Sequence, residues 1–136
     1  KINKSTFFFE DGIEFNFNKN QGKLDIYQKK PGAKAFFMND KVKSLDIHFY
    51  GFTDEILGKI PDYSFDVRGL TGCLSFIDLT IENSNITSLN SSCEDAVNFI
   101  NIKGNLGNIN IENSRSDGLD MDFSIILSLY LYMICE

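Results

Sequence analysis

The chain has 136 residues with 43% hydrophobic and 13% aromatic content, which suits a single domain with a buried core and excludes a disordered tail. A net charge of −6 and a pI near 4.7 argue against nucleic acid as a partner, because phosphate binding needs Lys and Arg clustered on one face. With no Trp, two Pro and many Ile, Phe, Asn and Ser, the composition describes β-structure with Asn-rich turns rather than a helical bundle.

At the amino end, Phe7 to Glu10, Asp11-Gly12 and Ile13 to Asn18 fit a hairpin, since Asp-Gly between alternating apolar residues favours a type I′ turn. Phe7-Phe8-Phe9 is too short for the apolar core of a secretory signal, and a start at Lys1 suggests a processed or partial chain. From there a repeat sets the reading. Leu24-Asp25-Ile26, Leu45-Asp46-Ile47 and Phe65-Asp66-Val67 share an apolar-Asp-apolar pattern, continued at Ile86-Thr87-Ser88 and Ile109-Asn110-Ile111, with starts 20 to 23 residues apart. A second series, Phe15, Phe36, Ile56, Phe76, Phe99 and Met121, keeps the same step.

Each triplet is a period-2 strand signal, and the intervening Gly, Asn, Ser and Asp supply turns. A leucine-rich repeat has a similar period but needs a Leu-x-x-Leu-x-Leu consensus that is missing here. A parallel β-helix of roughly five rungs fits better, with short strands stacked at about 4.8 Å and outward Asn and Ser forming ladders at the turns. Gln28 to Gly32 reads as a polar turn, and Asp54 to Pro61 as the place for an irregular insertion.

One conflict arises in the register. Leu79 to Ser84 resembles Ile109 to Ser114 at a spacing of 30, against the shorter step kept along the rest of the chain. The shorter step makes Leu79 to Ser84 a strand of its own rung. Residues 1–124 are thus read as rungs with a possible capping hairpin, and 125–136 as a further strand or a truncated end. Ile125 to Cys135 is too short for a membrane-spanning helix, which needs about 20 apolar residues, so no membrane span is expected. Cys73, Cys93 and Cys135 are odd in number and are expected as buried free thiols.

Cys93 to Ser124 holds one strand-turn unit and the start of its copy, the second richer in acid. With Leu119, Met121 and Phe123 pointing inward, Asp120 and Asp122 project outward, Asn98 and Ile100 lie beneath them, and Glu94, Asp95 and Asp117 sit at the turns. Like charges about 5 Å apart repel by roughly 1 kcal/mol in water, and more when partly buried. Backbone N–H groups, a bound calcium ion or a raised pKa would offset this. The plainer reading is that Asp95 and Asp117 cap their turns. The remaining candidates are metal binding by Glu94, Asp95, Asp117, Asp120 and Asp122, or catalysis by Asp117, Asp120 and Asp122. His48, the single histidine, lies in an apolar strand with no nucleophile elbow in the chain and reads as structural. A zinc site and a phosphate loop at Gly104 to Gly107 both lack their required residues.

The rung pattern, ending in Ser116-Asp117-Gly118-Leu119-Asp120, resembles the right-handed parallel β-helix superfamily of pectate-lyase-like proteins. The order Thr71-Gly72-Cys73-Leu74, Cys93-Glu94-Asp95 and Ser116 to Ser124 is similar to bacterial β-helix repeat proteins of unassigned activity. The resemblance implies an extracellular or cell-surface protein that binds carbohydrate or calcium, or else a polysaccharide lyase or glycoside hydrolase, or a purely structural repeat. Asp117-Gly118-Leu119-Asp120 resembles the Asp-Gly-Ile-Asp part of the polygalacturonase signature, but the Asp-Asp, Gly-His and Arg-Ile-Lys parts are missing. Asn98 and Arg115, the one basic neighbour of the patch, are the expected substrate contacts; oligomeric state is left open.

Overall fold

A computed structural model describes residues 1–52 and 69–135, and every regular element among them is a strand. In chain order these are β1 (Thr6–Phe9), β2 (Ile13–Asn18), β3 (Lys23–Gln28), β4 (Ala35–Met38), β5 (Lys41–Lys43) and β6 (Asp46–Tyr50). Then follow β7 (Gly72–Ile77), β8 (Thr80–Leu89), β9 (Asp95–Ile100), β10 (Lys103–Ser114), β11 (Asp117–Asp122) and β12 (Ile125–Cys135). They form a five-stranded sheet ordered β1-β4-β7-β9-β11 and a seven-stranded sheet ordered β12-β10-β8-β6-β3-β2, with β5 also on β8. All pairings are parallel except β1 with β4 and β2 with β3. The chain is a β-solenoid, a stacked parallel β-helix of about four turns rather than five.

Strict alternation decides which side chains enter the core. In β3, Leu24 and Ile26 are fully buried while Asp25 and Tyr27 face out, and in β6 Ile47 and Phe49 are buried between Asp46, His48 and Tyr50. Leu24 stacks on Ile47, two residues beyond the expected Leu45; Ile47 stacks on Ile86, Ile86 on Ile109 and Ile109 on Leu131. A slip of two leaves the same face inward, so the apolar column survives the change of partner. Thr80 lies beside Lys103 and Ile86 beside Ile109, so the short register holds over the 30-residue alternative.

In the five-stranded sheet the column is Phe37, Phe76, Phe99 and Met121, whereas Phe36 lines up with Ser75, Asn98 and Asp120. This corrects the expected series by one residue, which puts Phe36 on the opposite face. The Phe36-Phe37 doublet conceals the phase, because both members are apolar and both are buried. Phe15 belongs to the other sheet, opposite Ile26. Ile56, Phe65-Asp66-Val67 and the insertion expected at Asp54 to Pro61 lie outside the described residues.

Aromatic rings run through this core. Phe7 packs on Phe37 at 4.8 Å between centroids, Phe37 on Phe76 at 5.1 Å and Phe76 on Phe99 at 5.3 Å. Phe9 and Phe15 close the amino end against Phe7. The Asp11-Gly12 turn forms, with the Ile13 N–H donating to Glu10 O at 3.1 Å and Gly12 at φ 97°. It leads from one sheet to the other, however, and the antiparallel ladder joins β2 to β3 instead of Phe7–Glu10 to Ile13–Asn18.

Turns stack as well as strands. Asn39, Asp78, Asn101 and Phe123 hold φ values of 62°, 51°, 53° and 52° at one corner of successive coils. Their N–H groups pass hydrogen bonds from coil to coil, Asn39 to Ile77 O, Asp78 to Ile100 O and Asn101 to Asp122 O. Left-handed backbone favours Asn, Asp and Gly, and here the side chains also bond to one another: Asn101 Nδ2 donates to the Asp78 carboxylate Oδ1 at 2.8 Å and, at a second corner, Asn113 Nδ2 donates to Asn90 Oδ1 at 3.0 Å. The expected Asn ladders are therefore present.

Two further expectations fail. Cys73 and Cys93 form a disulfide rather than remaining free thiols. Their separation of 20 residues is about one coil, so stacking brings them together, and the odd third Cys hid the pair. Met121 and Phe123 also do not enter the core: Met121 lies over Phe99 on the last strand of its sheet and is half-exposed, while Phe123 occupies the turn corner with 89% exposure. Only Leu119 of that trio packs against the core. Ile125–Cys135 is a strand, paired with β10 from Lys103 opposite Ile125 to Ser114 opposite Cys135.

Candidate functional site

Parallel stacking brings most of the acidic residues together. Asp117 lies beside Asp95 and Asp120 beside Asn98, on neighbouring strands β11 and β9. Asp95 is 4% exposed, and burial pushes its carboxyl above the ordinary value; the Thr71 hydroxyl bonds to it and pulls the other way, while Asp120, Glu94 and Asp117 push it up further. The Glu94 carbonyl accepts the Asp117 N–H at 3.0 Å. Asp122 stands apart, in the column of Ile100, with its carbonyl taken by Asn101 N and Ser124 Oγ.

The expected substrate contacts fare differently. Asn98 is 3% exposed, and its Nδ2 donates to Thr71 Oγ1 at 3.1 Å and to Asp120 Oδ2 at 3.4 Å. Arg115 is exposed in the turn before β11, its N–H donating to Ser91 O. Glu94 Oε2 and Asn98 Oδ1 are buried acceptors without a hydrogen-bond partner. Yet no three or more His, Cys, Asp or Glu side chains among the described residues are arranged to hold a metal ion. What it does chemically is disfavour the charged form of Asp95, through burial and then through the acids around it.

A second array lies on the outward face of the seven-stranded sheet, built by the residues between the buried apolar ones. One row runs Asn16, Asp25, His48, Thr87, Asn110 and Tyr132 across six strands, and a parallel row runs Glu14, Tyr27, Tyr50, Leu89, Glu112 and Ile134. Tyr27 and Tyr50 stack with centroids 5.1 Å apart and planes 12° apart, and Lys29 Nζ lies 5.4 Å from the Tyr27 ring centre. Tyr50 OH lies 3.5 Å from both Asp25 Oδ1 and His48 Nδ1, and burial, then the Asp25 charge, raise its pKa. Lys23 is raised in turn, chiefly by its hydrogen bond to Asp25, at 3.2 Å.

His48 is consequently not a core residue. Its Nε2 is 3.1 Å from Asp46 Oδ2 but not aligned as a hydrogen bond, and Asn110 Oδ1 in the same row also lacks a partner. Sequence reasoning missed Tyr27, Tyr50 and Tyr132 because it followed the apolar positions of each triplet. The signal was present in the alternate positions, where hydroxyl, amide and carboxylate groups recur at each coil.

No helix among the described residues is long and apolar enough to cross a membrane. The chain matches no protein-family model, no curated protein and no solved structure.

Proposed function

We propose that this β-solenoid repeat chain is a carbohydrate-binding module that holds a glycan along the outward face of its seven-stranded sheet. The observation that carries this reading is the row from Asn16 to Tyr132, in which side chains rich in hydrogen-bonding groups follow one another at the strand spacing of about 4.8 Å. Saccharides offer hydroxyl groups at regular intervals together with apolar ring faces. Tyrosines with Asn, Asp and His between them supply the matching donors, acceptors and apolar area at low cost in side-chain entropy. The buried Cys73–Cys93 disulfide supports an extracellular or cell-surface setting, since disulfides persist in oxidising compartments. A screen of immobilised neutral glycans followed by calorimetric titration tests the reading. Tyr50→Ala and His48→Ala are each expected to weaken binding by roughly tenfold with circular dichroism unchanged. Absence of binding to every glycan, or full affinity in both variants, would sink it.

Polysaccharide cleavage is the second reading. Its support is the unequal environment of the acid patch, with Asp95 pushed towards the protonated form beside Asp117 and Asp120, as general acid–base chemistry requires. New reducing ends or unsaturated products that disappear in Asp95→Asn and Asp120→Asn would establish it, and their absence across acidic and neutral polysaccharides would remove it.

A further inference from the structure

A separate concavity of about 410 Å³ opens where the turn between β2 and β3 stacks on the turn between β5 and β6. Among the described residues, Lys1, Lys19 and Lys43 line it together with Phe17, Asn3 and Ser44, and no carboxylate does, although acids outnumber bases 19 to 13 in the chain. Lys1 and Lys19 make no ion pair among the described residues. Lys43 Nζ is 3.5 Å from Glu82 Oε2, the looser side of a carboxylate whose other oxygen is held by Lys41 at 2.6 Å. The ammonium groups of Lys1 and Lys19 are therefore available to an anion, and Lys43 joins them by exchanging its ion pair with Glu82 for the ligand.

The corner that carries them is tightly built. Asn3, Gly22 and Ser44 all have left-handed backbone, at φ 59°, 62° and 52°. A Cβ on Gly22 would come within 2.8 Å of Ser44 O, so glycine is what lets the two turns stack this closely. The stem positions of Lys19 and Lys43 are thereby fixed relative to each other, leaving only the flexible side chains to adapt.

We propose that this corner is a binding site, independent of the glycan face, for a small phosphate or sulfate monoester. Ammonium groups act as compact point charges that can converge on a tetrahedral oxyanion from several directions, whereas planar carboxylates are better served by the guanidinium fork, which the site lacks. The half-buried Phe17 ring supplies an apolar wall for the organic part of the ester. A volume of 410 Å³ falls within the range of about 300–1,000 Å³ typical of small-molecule sites.

Calorimetry with phenyl phosphate, phenyl sulfate, inorganic phosphate and uncharged phenol tests the assignment on the whole chain. At least one of the two esters is expected to bind with one-to-one stoichiometry, more tightly than inorganic phosphate, while phenol gives no heat. Lys19→Ala with Lys43→Ala should raise Kd by about tenfold or more, the loss expected for charge-assisted hydrogen bonds. Raising NaCl from about 0.05 M to about 0.5 M should weaken binding as well. Tyr50→Ala should leave these affinities unchanged, so failure here and failure of the glycan reading are separable. No binding of either ester, or full affinity in the double lysine variant, overturns the site; equal affinity for inorganic phosphate overturns its assignment to an ester.

Discussion

Phe123 occupies a backbone position that Asn39, Asp78 and Asn101 fill in the preceding coils, with the same left-handed φ near 50–60°. A left-handed residue with a Cβ costs roughly 1–2 kcal/mol unless its side chain bonds locally, which Phe cannot do. Its ring is 89% exposed and so recovers little by packing. Phe123→Asn is therefore expected to stabilise the fold by about 1 kcal/mol, read as a higher denaturant midpoint with an unchanged slope; a lower midpoint would contradict the corner geometry. Asp95 has the opposite character, being the right size in a costly place. Its folded-state pKa lies above the ordinary 3.8, so its contribution to stability is full below that value and is lost as pH rises through the folded pKa. Asp95→Asn should then be more stable than the native chain at pH 7, with the gap closing as pH falls towards about 4. Melting temperatures at a series of pH values check this, and a gap that stays constant with pH would rule out titration of Asp95 as the cause.

At the scale of the elements, the repeat was legible because burial of alternate residues leaves a period-2 trace that stacking does not disturb. Leu24, Ile86 and Ile109 could be recognised as one column without coordinates, although Ile47 and not the expected Leu45 stands between them, and the Asn corners followed from turn chemistry. Phase was harder. Where two apolar residues are adjacent, as at Phe36-Phe37, hydrophobicity alone does not say which faces the core, and the stack on Phe76 resolves it in favour of Phe37. Phe76 sits fully buried in the middle of that stack, so Phe76→Ala should cost about 3–5 kcal/mol, against less than about 1.5 kcal/mol for the more conservative Phe76→Leu if the column repacks. The disulfide was hidden because cysteine counting looks for frameworks rather than single bridges. Linking residues 20 apart should contribute about 3 kcal/mol, so Cys73→Ser with Cys93→Ser is expected to lower the unfolding free energy by that order. An unchanged denaturant midpoint in the double variant would mean the link is not formed in solution.

Across the whole molecule, the two sheets divide the labour. The five-stranded sheet carries the acid patch that the sequence made conspicuous by its Asp-Gly-Leu-Asp run, and its acids are partly buried and bonded to Asn98 and Thr71. The seven-stranded sheet carries the face that the sequence concealed, because residues from β2, β3, β6, β8, β10 and β12 become neighbours only when the coils are stacked in register. No local motif could announce a row assembled one residue per coil. Titration of the isotope-labelled chain with a neutral oligosaccharide selected from the glycan screen, followed by amide chemical shifts, tests that assignment most directly. The expected result is a contiguous set of perturbed amides at Asp25, Tyr27, His48, Tyr50, Thr87 and Asn110, with Glu94 to Asn98 and Asp117 to Asp122 unmoved. Perturbations confined to the acid patch, or none on either sheet, would contradict the account.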